Sequence, residues 1–186
     1  SGAEAPLRRS DVPRLLVAIL AGGVLGPLFL MYGLAGTDAA GASLLLNAEG
    51  LATMAIAWMA YRENVDRRLL AGALAILAGG VILTMGESST FQLGALLIVA
   101  ACVCWGIDNN VTRGIAGADP VRIAMIKGLV AGGVNIALGM LGGATWPAPG
   151  VLATAALTGF LGYGVSLALF VLALRHLGAA RTAAYF

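Results

Sequence analysis

The sequence predicts an all-α polytopic membrane protein with six transmembrane helices, and three observations predict it. First, 60% of the 186 residues are hydrophobic and 11% are charged, where a soluble domain carries about 25% charged residues. A water-soluble fold of this size cannot hide so much apolar surface. Second, the apolar residues gather into runs of about 17–24, the length at which a tilted helix crosses a hydrocarbon core about 30 Å thick. Barrel strands would be about 10 residues long with alternating polarity. Third, all 11 Lys and Arg residues fall on one side of a six-helix arrangement.

Ser1–Asp11 is a polar flank carrying Arg8 and Arg9, and it does not read as a signal peptide. Leu15–Ala35 is the first run, with Gly22, Gly26, Gly33 and Gly36 on one helical face. Such a stripe lets another backbone approach closely. Glycine makes up 27 of the 186 residues, roughly twice the usual share. Pro27 removes a backbone donor in mid-run, so a kink is expected there. The second run, Ala40–Tyr61, ends in a charged knot of Arg62, Glu63, Asp66, Arg67 and Arg68.

Leu69–Met85 is the third run, with Gly72, Gly79 and Gly86 at near-heptad spacing, and Gly86–Gln92 is a short polar loop. Leu93–Val111 is the fourth; Trp105, Asp108, Asn109 and Asn110 crowd its exit and read as a solvated helix end. Cys102 and Cys104 point to opposite sides of this helix, so they cannot bridge each other or share a metal. Pro120 is placed to start the fifth run, Val121–Leu141, broken only by Lys127 and Asn135. After a turn-rich Gly142–Gly150 comes the sixth run, Val151–Leu174.

The basic residues then orient the chain. Arg8, Arg9 and Arg14 flank the first helix; Arg62, Arg67 and Arg68 follow the second; Arg113, Arg122 and Lys127 lie around the fourth-to-fifth junction; Arg175 and Arg181 follow the sixth. The other three connections carry none, and the basic side is the cytoplasm. The acceptor triplet Asn110-Val111-Thr112 falls on that side and is set aside as a glycosylation site. The sequence carries no G-x-x-x-x-G-K loop, G-x-S-x-G elbow or H-E-x-x-H pair. No cofactor, metal site or nucleic-acid partner is expected. The expected partners are the lipid bilayer and a small-molecule substrate.

The candidate site starts from Glu49. It lies about 14 Å in from Ala40, deep in the core, where a carboxylate must be paired, protonated or facing water. That makes it a candidate for proton coupling. Thr53 shares its helical face, whereas Asn47 lies about 200° away, so the two can line one cavity only if the helix loosens, with Gly50 as the expected place. Lys127 sits about 10 Å in from Pro120 and is either an interfacial snorkel or a site residue. Its level lies close enough to Glu49 for an ion pair across a cavity. Asn135 is on a broadly similar face, and Tyr163, Ser166 and Phe170 form one face of the sixth helix. His176, beside Arg175, reads as a solvated helix-end histidine.

The stretch Leu46–Leu83, an apolar helix followed by Arg62-Glu63-Asn64, basic residues, Gly72-Ala73-Leu74 and Gly79-Gly80-Val81, resembles the EamA family of the drug/metabolite transporter superfamily. Trp105-Gly106, then Arg113, Asp119 and Pro120, looks like the opening of that family's second repeat. Leu174–Arg181 looks like a helix junction within it. The resemblance implies a ten-helix inverted-repeat fold with a midplane site. Residues 1–14 would be a cytoplasmic flank and 15–86 helices three to five of the first repeat. Residues 87–92 would be a periplasmic loop, and 93–186 the first three helices of the second repeat, cut off where a further helix begins. At an offset of 140, Gly22 falls on Gly162 and Leu34 on Leu174. The implied function is secondary, ATP-independent transport or export of small metabolites, such as amino-acid-like or amphipathic compounds, across the bacterial inner membrane. A six-helix piece is expected to insert but to pack poorly and not to transport. A membrane-embedded enzyme acting on lipids or isoprenoids is the alternative, but only Asp108 and Asp119 approach the clustered ligands it would need. A membrane scaffold would need none of the intramembrane polar residues.

Overall fold

The computed structural model describes residues 5–63, 67–84 and 89–185. The chain is helical: α1 (Arg9–Leu34), α2 (Ala39–Tyr61), α3 (Arg67–Thr84), α4 (Ser89–Arg113), α5 (Pro120–Leu141), α6 (Pro149–Leu177) and α7 (Ala179–Tyr185). Among the described residues, α1, α2, α4, α5 and α6 are long and apolar enough to cross a membrane. The chain is an all-α polytopic membrane protein. Of the third expected run, Leu69–Thr84 lies within α3, while Met85 and the loop residues Gly86–Ser88 fall outside the described residues. So do Asn64, Val65 and Asp66 of the charged knot.

Local chemistry sets the helix ends. Asp38 caps α2 by accepting from the Gly41 N–H at 2.8 Å, and Asp119 caps α5 by accepting from the Val121 N–H at 2.9 Å, with Pro120 in the first turn. Gly178 ends α6 at φ 81°, a conformation that suits glycine. Arg62 ends α2 in the left-handed region, φ 53°, and its N–H and that of Glu63 close on the carbonyls of Trp58 and Ala57.

α4 is the central helix, packed against α1 and α2 along much of their length. The glycine stripe of α1 faces it: a Cβ at Gly22, Gly26 or Gly33 would run into Asp108, Trp105 or Ile98. Towards the basic side, Leu15, Met54, Ile115, Ile123, Val171 and Leu174 form a buried core, and a smaller cluster around Leu45, Ile98 and Cys102 fills the opposite part.

The basic side is one connected end. Glu63 pairs with Arg113 at 2.5 Å and accepts from the N–H groups of Ala179 and Ala180, at 3.3 and 3.0 Å, capping α7. Arg175 donates to the carbonyls of Ala116 and Ala118 at 2.6 and 2.7 Å, and the Asp119 N–H donates to Ala5. The N-terminal flank, the α2 exit, the α4–α5 loop and the α6 exit therefore meet at the end expected to be cytoplasmic. Cysteines placed at Asp38 and Ala144 should react with an impermeant thiol reagent added to the opposite face, and one at Gly117 should not. The same holds for Ser88 and against Asn64, which lie outside the described residues. Labelling of Gly117 from the Asp38 side would overturn the topology.

Among the described residues, three of the apolar helices are irregular along their length. α1 widens over Ile19–Leu25, where the Gly26 N–H reaches back five residues to the Ala21 carbonyl. The expected effect of Pro27 thus takes the form of a wide turn. Pro27 offers no N–H to the Gly23 carbonyl, and the shifted Gly26 bond frees that of Gly22. α6 widens over Phe160–Val165, a stretch holding Gly162 and Gly164. The two wide turns end at Leu25 and Val165, 140 residues apart, the offset at which Gly22 falls on Gly162. α2 tightens at Asn47, between Ala39–Leu46 and Ala48–Tyr61, where the Asn47 N–H bonds back three residues to the Leu44 carbonyl at 3.2 Å, rather than loosening at Gly50. The Asn47 amide donates to the carbonyls of Ser43 and Leu44, both at 3.1 Å, which competes with the helical ladder. The buried Cys102 thiol stands 3.7 Å from the Leu45 and Leu46 carbonyls at that turn.

Candidate functional site

α4 carries the hub of the site. Asp108, Asn109 and Asn110 lie inside the helix because α4 continues to Arg113, and they are 7, 9 and 1% exposed. This corrects the expectation of a solvated helix end. The three consecutive side chains reach different neighbours, as helical geometry requires. Asp108 pairs with Lys127 of α5 at 2.5 Å, and Thr112 joins them: its hydroxyl donates to Asp108 at 2.8 Å and accepts from Lys127 at 3.2 Å. Asn109 donates to Glu49 at 3.1 Å and to the Thr53 hydroxyl at 3.0 Å, both on α2. Asn110 donates to the Thr53 carbonyl at 2.9 Å and to the Gly106 carbonyl at 2.8 Å. A carboxylate can only accept, so the contact with Glu49 fixes which way the Asn109 amide points.

The ion pair expected between Glu49 and Lys127 is therefore not the one formed. Lys127 is 5% exposed, so it does not snorkel either; it neutralises Asp108 behind the site. Glu49 is held instead by a neutral amide. Gly22 makes room for this arrangement, since a side chain there would overlap Asp108.

Two cavities meet at Glu49. The larger, about 580 Å³, is lined by Ser43, Asn47, Glu49, Thr53, Arg68 and Phe170 among others. The smaller, about 370 Å³, is lined by Glu49, Trp105, Asp108, Asn109, Tyr163, Ser166 and Phe170 with Leu30, Leu46, Gly162 and Leu167. Asn47 and Glu49 both line the first despite their spacing, and the face Tyr163–Ser166–Phe170 meets Glu49 in the second. Among the described residues, no group of three or more His, Cys, Asp or Glu is arranged to hold a metal.

Lys127 and Asn135 line neither cavity. The Asn135 amide donates to the Gly23 carbonyl at 2.7 Å, and the Trp105 indole donates to that of Gly22 at 3.0 Å. The two carbonyls that the wide turn releases are thus closed from α5 and α4. Asn135→Leu should leave the Gly23 carbonyl unpaired in a dry place and cost about 1–3 kcal/mol. Unfolding in detergent should register that loss while substrate affinity holds; the reverse pattern would make Asn135 a ligand group.

Residues 2–85 match the sequence model of the EamA-like transporter family. An uncharacterized transporter of Methanothermobacter thermautotrophicus is 30% identical over 191 aligned residues, covering 98% of this chain. The chain spans 56% of that relative's length. No solved structure matches. The family match over residues 2–85 and the similarity to a transporter along nearly the whole chain both support an EamA-like transporter.

Proposed function

We propose that this chain carries the substrate path of a secondary, ATP-independent transporter that moves or exports small metabolites across the plasma membrane, the inner membrane in a bacterium. Amino-acid-like or amphipathic compounds are the substrate classes in view. One observation carries the reading: Glu49, at mid-membrane depth, is held by a neutral amide and stands where two cavities meet. A carboxylate so placed can take up a charged substrate or a proton. The family supports it by kind, and the relative bears the name transporter. In the same reading, residues 15–86 and 93–186 belong to two repeats of opposite insertion. The test is substrate flux into liposomes by the full-length protein; flux that no candidate metabolite produces, under an imposed proton gradient or without one, would sink the proposal.

A further inference from the structure

The hydrogen-bonding capacity of the smaller cavity is one-sided. Both N–H groups of the Asn109 amide are spent, on Glu49 and Thr53. The Trp105 N–H is spent on the Gly22 carbonyl. Lys127 is held behind Asp108 and does not reach the cavity wall. Arg68 lines only the larger cavity. What is left over is acceptors: Glu49 uses one carboxylate oxygen on Asn109, Asp108 uses Oδ1 on Lys127 and Thr112, and the Asn109 Oδ1 has no donor, all among the described residues. The hydroxyls of Tyr163 and Ser166 can serve either way. With Asp108 neutralised by Lys127, Glu49 leaves the cavity one negative charge. Trp105, Tyr163 and Phe170 add aromatic surface to its lining.

We propose that this cavity takes a protonated primary amine with an apolar body, its ammonium N–H groups donating to Glu49, Asp108 and Asn109 and its body lying among the aromatic rings. This rests on the transport reading and narrows its substrate. An ammonium supplies three donors and one positive charge, matching the surplus of acceptors and the net charge. It also gains from the ring faces. A carboxylate ligand would meet acceptors and a like charge, a neutral alcohol would leave Glu49 unneutralised, and a quaternary ammonium would bring charge without donors.

The experiment is equilibrium binding of phenethylamine, its trimethylammonium analogue, 2-phenylethanol and phenylacetate to the full-length protein in lipid nanodiscs. Phenethylamine should bind at least about tenfold more tightly than each of the others. Glu49→Gln, which keeps the shape and the Asn109 contact, should weaken the amine about tenfold or more. Glu49→Asp, which keeps the charge, should retain part of the binding. Equal binding of the trimethylated, neutral or anionic compound, no binding by any of the four, or undiminished amine binding by Glu49→Gln would overturn the proposal. The two readings fail separately. A different compound carried in a Glu49-dependent way removes the amine and leaves the transporter, whereas amine binding without flux of any compound removes the transporter.

Discussion

Glu49→Gln is expected to abolish transport while the protein still inserts and folds. Glutamine fills the same space and offers a carbonyl to the Asn109 amide, so the 3.1 Å contact that ties α2 to α4 survives. What goes is the charge at the meeting point of the two cavities. If Glu49 neutralises a substrate or carries a proton, losing that interaction should cost about 3 kcal/mol or more, a hundredfold or greater drop in flux. Flux in liposomes, normalised to folded protein, measures it. A variant transporting at the full rate would remove Glu49 from the mechanism.

Lys127→Met is expected to destabilise the protein by about 3–5 kcal/mol, because it leaves the Asp108 carboxylate buried without its cation. Asp108 and Lys127 have side chains only 10 and 6% exposed, so solvent offers little compensation. The double variant Asp108→Asn, Lys127→Met should recover much of that loss, with a coupling of about 0.5–3 kcal/mol in an unfolding titration in mixed micelles. Glu49→Gln combined with Lys127→Met should come close to additive in stability, since each of those groups has its own partner on α4. Additive losses for Asp108 and Lys127, or strong coupling of Glu49 to Lys127, would show that the pairing is wrong.

Depth along the helix marks Asp108 as well as Lys127. Counted at about 1.5 Å per residue, Lys127 lies roughly 10 Å in from Pro120, and Asp108 roughly 8 Å in from Arg113 at the same end. Asp108 was within reach of the same arithmetic. In the sequence it is disguised, because three polar residues near the end of an apolar run look like the run's solvated exit. α4 extends two residues past that run, to Arg113, and the polar residues stand inside it.

The sequence by itself determined the fold class, and it supplied the expected direction of insertion and Glu49 as the proposed site residue. Each follows from one-dimensional facts: apolar run lengths set by bilayer thickness, cations confined to alternate connections, and one carboxylate too deep to be incidental. It also placed the disturbance at Pro27, because a missing N–H is a local property of the chain. Only the tertiary structure decided who holds whom. Whether Lys127 meets Glu49 or Asp108 depends on which helix stands beside α5. That Asn47 and Glu49 line one cavity, despite lying about 200° apart on a regular helix, depends on how the neighbouring helices enclose that space. The same holds for Asn135, whose partner is a carbonyl that exists as an open acceptor only because Pro27 lies 108 residues away on α1. Buried polar groups in lipid must find partners, but the rule names no partner; the packing of the helices does.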